Sequence, residues 1–402
     1  MWPRYTNCRR LLRRFILIQF ITCCIYYLVA SSVHQTPEED EQQATIGPIT
    51  SQTKTILIFN GKGKYELEVF GEGRHGFRRA KCPIDDCYIT RNRSFTDTFD
   101  AVIINIATAA SFVYPKNVNR TSRQRFVLFS QEAPTLPDDE MRKYNDFFNW
   151  TMTYQHASDL PYIYGRVVAL ANAPHAYEAR KYIGRVSQGH NYGRDKTKLA
   201  VFFNSRCYTP SRREEYVRLL GKHIKVDTFG RCSQQQCSMD NATKLSSDQC
   251  YDMVERHYKF YLAFENSLCQ DYVTERFFDI LERHIVPVVY GGADYAAIAP
   301  PHSYIDASHY SPEELAEHLH SIAANDTLYN EYHWWRPYFR VERRYPLMAN
   351  RVMCQLCRQL HLNQSTSMHL NLEDHFSRNS QCHPPDFRGV PTNISLTNFI
   401  VS

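Results

Sequence analysis

The chain has 402 residues, of which 43% are hydrophobic and 22% are charged, and its formal net charge is +5. This composition is ordinary for a globular protein and excludes the disordered, collagenous and multi-span membrane classes. All of the excess positive charge comes from five arginines before Phe15: Arg4, Arg9, Arg10, Arg13 and Arg14. The rest of the chain is neutral, so the composition does not support nucleic-acid binding, which needs basic patches on the folded domain itself.

An apolar run from Phe15 to Ala30 follows these arginines. A helix of this length would measure ~24 Å, which is short for a membrane span but sufficient in a thin bilayer. Acidic residues follow the run at 38–41, so the positive-inside rule places the N-terminus in the cytosol and the rest of the chain in a lumen. We therefore expect a cytoplasmic tail over 1–14, a signal-anchor helix over 15–30 and a polar stem over 31–53. A cleaved signal peptide is the alternative.

Two further features agree with a lumenal location for the body of the chain. Seven Asn-x-Ser/Thr sequons for N-glycosylation lie after the apolar run, at Asn92, Asn119, Asn149, Asn241, Asn325, Asn363 and Asn393. Ten cysteines also lie beyond the run, and an even number in an oxidising compartment predicts disulfide bonds. Cys354 and Cys357 have the spacing of zinc ligands, but a structural zinc site needs four ligands and the chain has no second C-x-x-C. We favour disulfides over zinc.

The first folded region alternates apolar runs with polar segments, which is typical of buried strands in a parallel sheet. These runs cover 55–59, 100–106, 125–130 and 151–154. Between about Ala173 and Lys198 the chain becomes polar and rich in glycine. We expect it to cross to a second domain there.

The second region alternates strands and helices more regularly. Apolar runs predict strands at 199–203, 224–229, 261–266 and 285–292. Helices are expected near 211–223, 247–259 and 271–284. Ser311 and Glu314 form a capping box at the start of a further helix with a buried stripe.

This alternation predicts doubly wound α/β sheets. We expect two Rossmann-like domains, over 54–185 and 186–345, that face each other across a cleft. The tail over 346–402 contains three cysteines but no clear apolar period, so we expect disulfides rather than burial to hold it in place.

Polar residues concentrate where the strand over 261–266 closes and the next helix begins. Open α/β sheets bind their ligands outside the carboxyl ends of strands, facing helix N-termini, and Asn266, Tyr272, Glu275 and Arg276 fall there. Tyr272 and Glu275 are three residues apart and would share a helix face. Arg276 adds a positive charge to the helix dipole, a combination that suits a diphosphate. The alternative is a capped surface helix on which Glu275 and Arg276 are solvated.

The segment 258–307 closely resembles the donor-binding signature of the α1,3-fucosyltransferase family, in which F-E-N-S, Y-x-T-E-K/R and V-P-V-V-x-G recur in this order. Shorter similar segments occur at 204–216, 226–232, 86–105 and 129–134, so the resemblance covers roughly 55–345 and the cysteine tail. It implies a GT-B type, inverting and metal-independent transferase that uses GDP-fucose as co-substrate and needs no cofactor. It also implies a type II protein of the Golgi membrane.

The resemblance assigns roles to individual residues. Glu132 ends an apolar strand before a proline turn and is expected to take the proton from the acceptor hydroxyl. No D-x-D metal motif occurs in the chain, so Arg213 and Arg276 would neutralise the departing GDP. Three residues would hold the fucose and ribose hydroxyls: Asn266, Tyr272 and Glu275.

This chain departs from the family pattern at three places. Ala133 replaces a serine, Arg276 replaces a lysine, and Asn105-Ile106-Ala107 replaces the His-His-Trp of vertebrate members. The last difference concerns the choice of acceptor, which we expect to be the 3-hydroxyl of a GlcNAc on a glycoprotein N-glycan. The alternatives are a pseudoenzyme or glycan-binding protein without turnover, and a transferase of the same fold with another nucleotide sugar.

The resemblance also suggests that the two ends of the folded region are tied together. At least one disulfide is then expected to join Cys82 or Cys87 to Cys354 or Cys357. Local closure within each pair and a reduced C-x-x-C that holds a metal are the alternatives.

Overall fold

The computed structural model describes residues 53–60, 70–94, 96–106, 120–134, 138–175, 178–183, 190–233, 235, 237, 247–363, 371–377 and 381–387. The expected tail and anchor, nearly all of the stem, and the sequons at Asn119, Asn241 and Asn393 lie outside these residues. Part of the expected interdomain crossing, 184–189, also lies outside them. In the part of the chain that the structure describes, no helix is long and apolar enough to cross a membrane.

The first sheet has five parallel strands in the order β2-β1-β3-β4-β5. They are β1 (Lys54–Ile58), β2 (Cys87–Thr90), β3 (Ala101–Asn105), β4 (Arg125–Ser130) and β5 (Trp150–Thr153). Among the described residues of this part, short α-helices form at α1 (His75–Arg79), α2 (Asp138–Arg142) and α3 (Arg180–Ile183). Four strands match predicted apolar runs, because strands buried on both faces are almost continuously apolar. The edge strand β2 alternates in burial and has no predicted run.

The second sheet also has five parallel strands, in the order β11-β10-β9-β7-β8. They are β7 (Lys198–Phe203), β8 (Val226–Phe229), β9 (Tyr258–Phe264), β10 (Val286–Tyr290) and β11 (Ile305–Asp306). The α-helices between and after them are α4 (Arg213–Leu220), α5 (Ser247–His257), α6 (Glu275–Leu281), α7 (Tyr295–Ile298), α8 (Pro312–Ala323) and α9 (Asp326–Glu331). The four predicted strands and the predicted helices are therefore present with shifted ends, whereas β11, α7 and α9 were not predicted.

Helix α8 begins at the predicted capping box. The Ser311 hydroxyl accepts the Glu314 N–H, the Glu314 carboxylate accepts the Ser311 N–H at 2.8 Å, and Pro312 occupies the first helical position. Leu315 and Leu319 are fully buried, so the apolar stripe faces the core as expected.

An antiparallel ribbon that was not predicted links the two regions. In it β6 (Gly165–Ala169) pairs with β12 (Phe339–Arg343). Gly165 lies so close to α6 that an added Cβ would be 2.5 Å from the Phe278 ring. The ribbon therefore packs directly against α6, and only glycine fits at this position.

The expectation that the tail lacks an apolar period is wrong. Residues Ala349–Leu362 form α10, a 14-residue helix. Its apolar side chains at 349, 352, 353, 356 and 360 share one face and join the core of the first sheet. Burial therefore holds the start of the tail in addition to disulfides. A further short helix, α11 (Leu372–Phe376), follows.

All ten cysteines beyond the predicted anchor form disulfides. Cys82–Cys354 and Cys87–Cys357 join α10 to the first sheet, which is the link between the two ends that the resemblance implies. The others are Cys207–Cys232, Cys237–Cys250 and Cys269–Cys382. His361 lies beside Cys87 and Cys357, but the bond between these sulfurs removes them as zinc ligands.

The described sequons differ in exposure. Asn92, Asn325 and Asn363 are exposed. Asn149 is only 4% exposed, and its side-chain oxygen accepts the Phe126 N–H at 2.9 Å. Asn149 is therefore much less accessible than the other described sequons, and glycosylation there stays a prediction.

The docking of α10 yields a stability prediction. Leu356 is fully buried against the first sheet, so Leu356→Ala should lower the free energy of unfolding by ~2–5 kcal/mol, the usual cost of a buried Leu-to-Ala change. Thermal unfolding measures this effect, and Arg358→Ala on the exposed side of α10 is the matched control. Equal melting temperatures for the two variants would contradict the docked helix.

Candidate active site

The candidate site lies where loops from the two sheets meet. Tyr272, between β9 and α6, packs edge-on against Tyr154, which follows β5, with ring centroids 4.8 Å apart. Glu132, after β4, and Arg206, after β7, form an ion pair. Open α/β sheets bind ligands outside the carboxyl ends of their strands. Both sheets therefore bring their ligand-binding ends to the same place.

Glu265 is a fully buried carboxylate directly after β9. One of its oxygens accepts the Thr274 N–H at 2.8 Å, and both accept the Thr274 hydroxyl, at 3.0 and 2.9 Å. Burial raises the pKa of Glu265 to about 7, although Arg276 and Thr274 oppose the shift. Glu265 is not among the residues that the sequence predicts for the site, because a single carboxylate after an apolar strand does not reveal whether it is buried.

Thr274 fixes the start of α6. Its hydroxyl oxygen accepts the Arg276 N–H at 3.4 Å, so Thr274 is the N-cap and the helix begins at Glu275. Asp271 has a φ of +59°, which a right-handed helix cannot contain. The predicted helix over 271–284 is therefore too long, and Tyr272 and Glu275 do not share a helix face.

Arg276 lies next to two carboxylates. Its Nη1 donates to the Thr274 hydroxyl at 2.9 Å and lies 3.5 Å from Glu265 and 3.7 Å from Glu275. Burial alone would lower the pKa of Arg276, but Glu275 and Glu265 raise it above its ordinary value. The guanidinium therefore keeps its positive charge at the start of α6.

Arg213, the first residue of α4, is fully buried. Its Nη1 donates to the Phe264 carbonyl at 2.6 Å, and its Nε has no hydrogen-bond partner. Burial lowers the pKa of Arg213 to about 10, and the charge of nearby Arg276 contributes. A second cation therefore lies within electrostatic reach of Arg276.

Two asparagines end neighbouring strands of the second sheet. Asn266 is 5% exposed and Asn204 is 8% exposed, and the side-chain oxygen of each is buried without a hydrogen-bond partner. Buried polar groups in proteins nearly always have partners. These two amides are thus available for hydrogen bonds to a polar ligand.

Tyr272 is almost completely buried between the two regions. Its ring also packs edge-on against Tyr164, at 6.4 Å between centroids. Burial raises the pKa of Tyr272 well above its ordinary value, and the charges of Glu132 and Glu265 add to the shift. The neutral hydroxyl lies within electrostatic reach of carboxylates from both sheets.

Glu132 lies two residues after β4, and its side chain is 39% exposed. The Ser130 hydroxyl donates to its carbonyl at 2.9 Å, and its Oε2 is 3.1 Å from Nη2 of Arg206. Arg206 lies within a segment of family resemblance, but the sequence analysis gave it no role. Only the three-dimensional arrangement identifies this pair.

The structure thus brings the expected residues to one region. Five of them lie around Glu265: Arg213, Asn266, Tyr272, Glu275 and Arg276. Glu132 lies on the facing loop of the first sheet. Sequence reasoning missed Glu265, Asn204 and Arg206.

Two parallel α/β sheets whose carboxyl ends converge on one site define a GT-B type glycosyltransferase fold. A similar solved structure is described as "Crystal Structure of alpha1,3-Fucosyltransferase". It matches with a TM-score of 0.50 at 14% identity, over 79% of this chain and 92% of that chain. At this identity the similarity supports the fold alone.

Family models match most of the folded region. "Fucosyltransferase, N-terminal" matches residues 51–165, and "Glycosyltransferase family 10 (fucosyltransferase) C-term" matches residues 193–375. Alpha-(1,3)-fucosyltransferase C of Drosophila melanogaster is 34% identical over 77% of this chain and 73% of its own length. The chain belongs to glycosyltransferase family 10, the fucosyltransferases.

Further relatives include a glycoprotein fucosyltransferase and a protein O-fucosyltransferase. Glycoprotein 3-alpha-L-fucosyltransferase A of Drosophila melanogaster is 34% identical over 78% of this chain and 57% of its own length. Human GDP-fucose protein O-fucosyltransferase 3 is 29% identical over 70% of this chain and 60% of its own length. The chain therefore spans less than two thirds of each of these two relatives.

The buried Glu265 generates a pH prediction. Its pKa is about 7 in the folded state and 4.5 ordinarily. Between these pH values the folded state binds more protons than the unfolded state. The free energy of unfolding therefore falls as the pH rises from 4.5 to 7. The loss attributable to Glu265 is ~3 kcal/mol. Glu265→Gln keeps an acceptor for the Thr274 N–H and removes the titration. Between pH 4.5 and 7 the melting temperature of Glu265→Gln should decline less steeply than that of the wild type. Equal slopes in the two proteins would contradict the raised pKa of Glu265.

Proposed function

We propose that the chain transfers L-fucose from GDP-β-L-fucose to the 3-hydroxyl of a GlcNAc on a glycoprotein N-glycan, without a metal ion. The observation that carries this proposal is that Glu132 of the first sheet and Arg276 at the start of α6 both lie within electrostatic reach of the buried Tyr272. Membership of family 10 and the names of the two Drosophila relatives support the donor and the linkage.

The donor side suits a nucleoside diphosphate sugar. GDP carries negative charge on its diphosphate, and Arg276 and Arg213 supply two positive charges close to each other. Arginine binds phosphate oxygens in a bidentate manner, so Arg276 can take the role of the lysine in the family pattern. Asn266 and Asn204 offer buried amides for the hydroxyls of the sugar and the ribose.

The reaction then needs one base and a stabilised leaving group. The acceptor oxygen bonds to C1 of fucose on the face opposite GDP, the C1–O bond breaks with its electron pair on GDP, and Glu132 takes the acceptor proton. A single displacement converts the β-linked donor into an α-linked product. Arg276 and Arg213 offset the charge that develops on GDP.

We choose a glycan acceptor over a protein hydroxyl on similarity. The relatives at 34% identity have α-(1,3)- or glycoprotein 3-α-fucosyltransferase names, whereas the protein O-fucosyltransferase is 29% identical. The segment Asn105-Ile106-Ala107 differs from the vertebrate His-His-Trp, so the acceptor need not be that of vertebrate members.

We also propose a type II position in the Golgi membrane. The support is the basic start, the apolar run over 15–30 and the acidic segment that follows. The exposed sequons and the five disulfides suit a lumenal, oxidising compartment.

The assignment of the base predicts a specific loss. Glu132→Gln should lower kcat about 10²–10⁴-fold, the usual contribution of a general base, with little change in the KM for GDP-fucose. Steady-state assays with purified protein measure both constants. Glu140→Gln, on α2, is the control, because the Glu140 side chain is 45% exposed. A kcat within a few-fold of wild type in Glu132→Gln would refute the assignment.

If Arg276 binds the diphosphate, its replacement should lower the affinity for both GDP and GDP-fucose, because both ligands contain this group. Arg276→Ala should weaken GDP and GDP-fucose by about ten-fold or more, while Arg276→Lys should retain most of the affinity. Calorimetric titration measures both ligands, and turnover should persist in EDTA. Arg276 is more informative than Arg213, because replacing the fully buried Arg213 also removes packing. Unchanged GDP affinity in Arg276→Ala, or abolition of activity by EDTA, would overturn the metal-free site.

A further inference from the structure

The ion pair between Glu132 and Arg206 places a cation on the proposed catalytic base. Oε2 of Glu132 is 3.1 Å from Nη2 of Arg206, and the two side chains are 39% and 51% exposed. The pair therefore lies in contact with water. Exposed ion pairs are weak, so a competing polar molecule can separate the two side chains.

The backbone on the Arg206 side of the pair is well fixed. Arg231 donates from Nε and Nη2 to the Ser205 carbonyl at 3.2 and 3.0 Å, and the Cys232 N–H donates to the Asn204 carbonyl at 3.1 Å. The Cys207–Cys232 disulfide adds a covalent link. Separation of the ion pair is therefore a movement of the Arg206 side chain rather than of its loop.

The backbone on the Glu132 side is fixed as well. The Tyr164 hydroxyl donates to the Gln131 carbonyl at 2.7 Å, and the Ser130 hydroxyl donates to the Glu132 carbonyl at 2.9 Å. Glu132 thus stays in place when its partner leaves.

The closed pair has two chemical effects on the proposed reaction. It occupies one oxygen of Glu132, so an acceptor hydroxyl cannot donate to that oxygen while the pair is closed. It also holds a unit positive charge near the place where positive charge develops on C1 of fucose, and like charges repel. Both effects slow any reaction that starts while the pair is closed.

Water and a sugar acceptor differ in their ability to open this pair. A pyranose carries several hydroxyls, so it can hydrogen-bond to the carboxylate and fill the space that the guanidinium leaves. A single water molecule can also hydrogen-bond to the carboxylate, but it is too small to fill the space that the guanidinium leaves. Because water is always present at an exposed pair, a transferase needs a way to avoid hydrolysing its donor.

We propose that Arg206 selects an acceptor hydroxyl over water by covering Glu132 until an acceptor sugar displaces it. This inference rests on the proposed function. In transfer, the acceptor oxygen bonds to C1, GDP leaves with the electron pair, and the acceptor proton goes to Glu132. In hydrolysis, water takes the place of the acceptor, which gives free fucose and GDP. Arg206 slows the second reaction more than the first.

The test measures both reactions in wild type, Arg206→Ala and Arg206→Lys. Free fucose formed from GDP-fucose alone reports hydrolysis, and fucosylated glycan at saturating acceptor reports transfer. Arg206→Ala should raise the kcat of hydrolysis about two- to five-fold, the range of coupling in exposed ion pairs, with transfer kcat and the KM for GDP-fucose within two-fold of wild type. Arg206→Lys keeps the cation and should retain the wild-type ratio of hydrolysis to transfer.

The control is Arg218→Ala. Arg218 is 58% exposed and pairs with Glu215 on α4, away from the site, so its replacement should leave the ratio unchanged. An unchanged rate of hydrolysis in Arg206→Ala would overturn the inference. An equal fall in hydrolysis and transfer would also overturn it, because that result would mean that Arg206 positions Glu132. If wild type neither hydrolyses nor transfers, the proposed function itself fails and this inference with it.

Discussion

The Glu265 carboxylate accepts hydrogen bonds from the backbone and side chain of Thr274 and faces the Arg276 guanidinium, and these contacts set the start of α6. Burial of a carboxylate destabilises a fold unless its oxygens accept hydrogen bonds or lie near a cation. Movement of Thr274 or Arg276 would remove these partners from Glu265 and would therefore destabilise the fold. The β6–β12 ribbon packs against the other side of α6 at Gly165. The donor-side residues are therefore held on a short helix that is fixed at its start and along its side.

The loop of the first sheet that carries Glu132 stays opposite α6 because of the path that the chain takes after the second sheet. After the second sheet the chain returns, and α10 packs on the first sheet through its apolar face and two disulfides. Tyr272 fills the space between the regions by edge-on contacts with Tyr154 and Tyr164. The tail is thus part of the first core rather than an appendage, and it helps to hold Glu132 in position.

The sequence predicted the strands well, because strands buried on both faces are continuous apolar runs. It did not predict β2, whose burial alternates, the two-residue strand β11, or the ribbon strands β6 and β12. The helix over 271–284 was too long because Thr274 caps it from within the predicted range. The apolar side chains of α10 recur at helical spacing, but the polar residues over the rest of 346–402 obscure this period when the tail is taken as one segment.

The site was predictable where motifs lie on one segment, as at 264–276. Glu265 lies within that segment, but a single charge after a strand does not reveal whether it is buried. The pair of Glu132 with Arg206 joins residues far apart in the chain, so no local pattern predicts it. Contacts of this kind follow from how the two regions pack, and the domain boundaries at 185 and 345 stay predictions.

The most direct test of the account is the structure of the product formed from GDP-β-L-fucose. The purified protein would be given an N-glycan with accessible GlcNAc residues and, in parallel, a peptide with serine and threonine hydroxyls, and each product would be analysed by NMR. The account predicts a fucose in α linkage to the 3-hydroxyl of GlcNAc, because one displacement with Glu132 as base inverts the donor. A β-linked fucose, or fucose on the peptide alone, would contradict it.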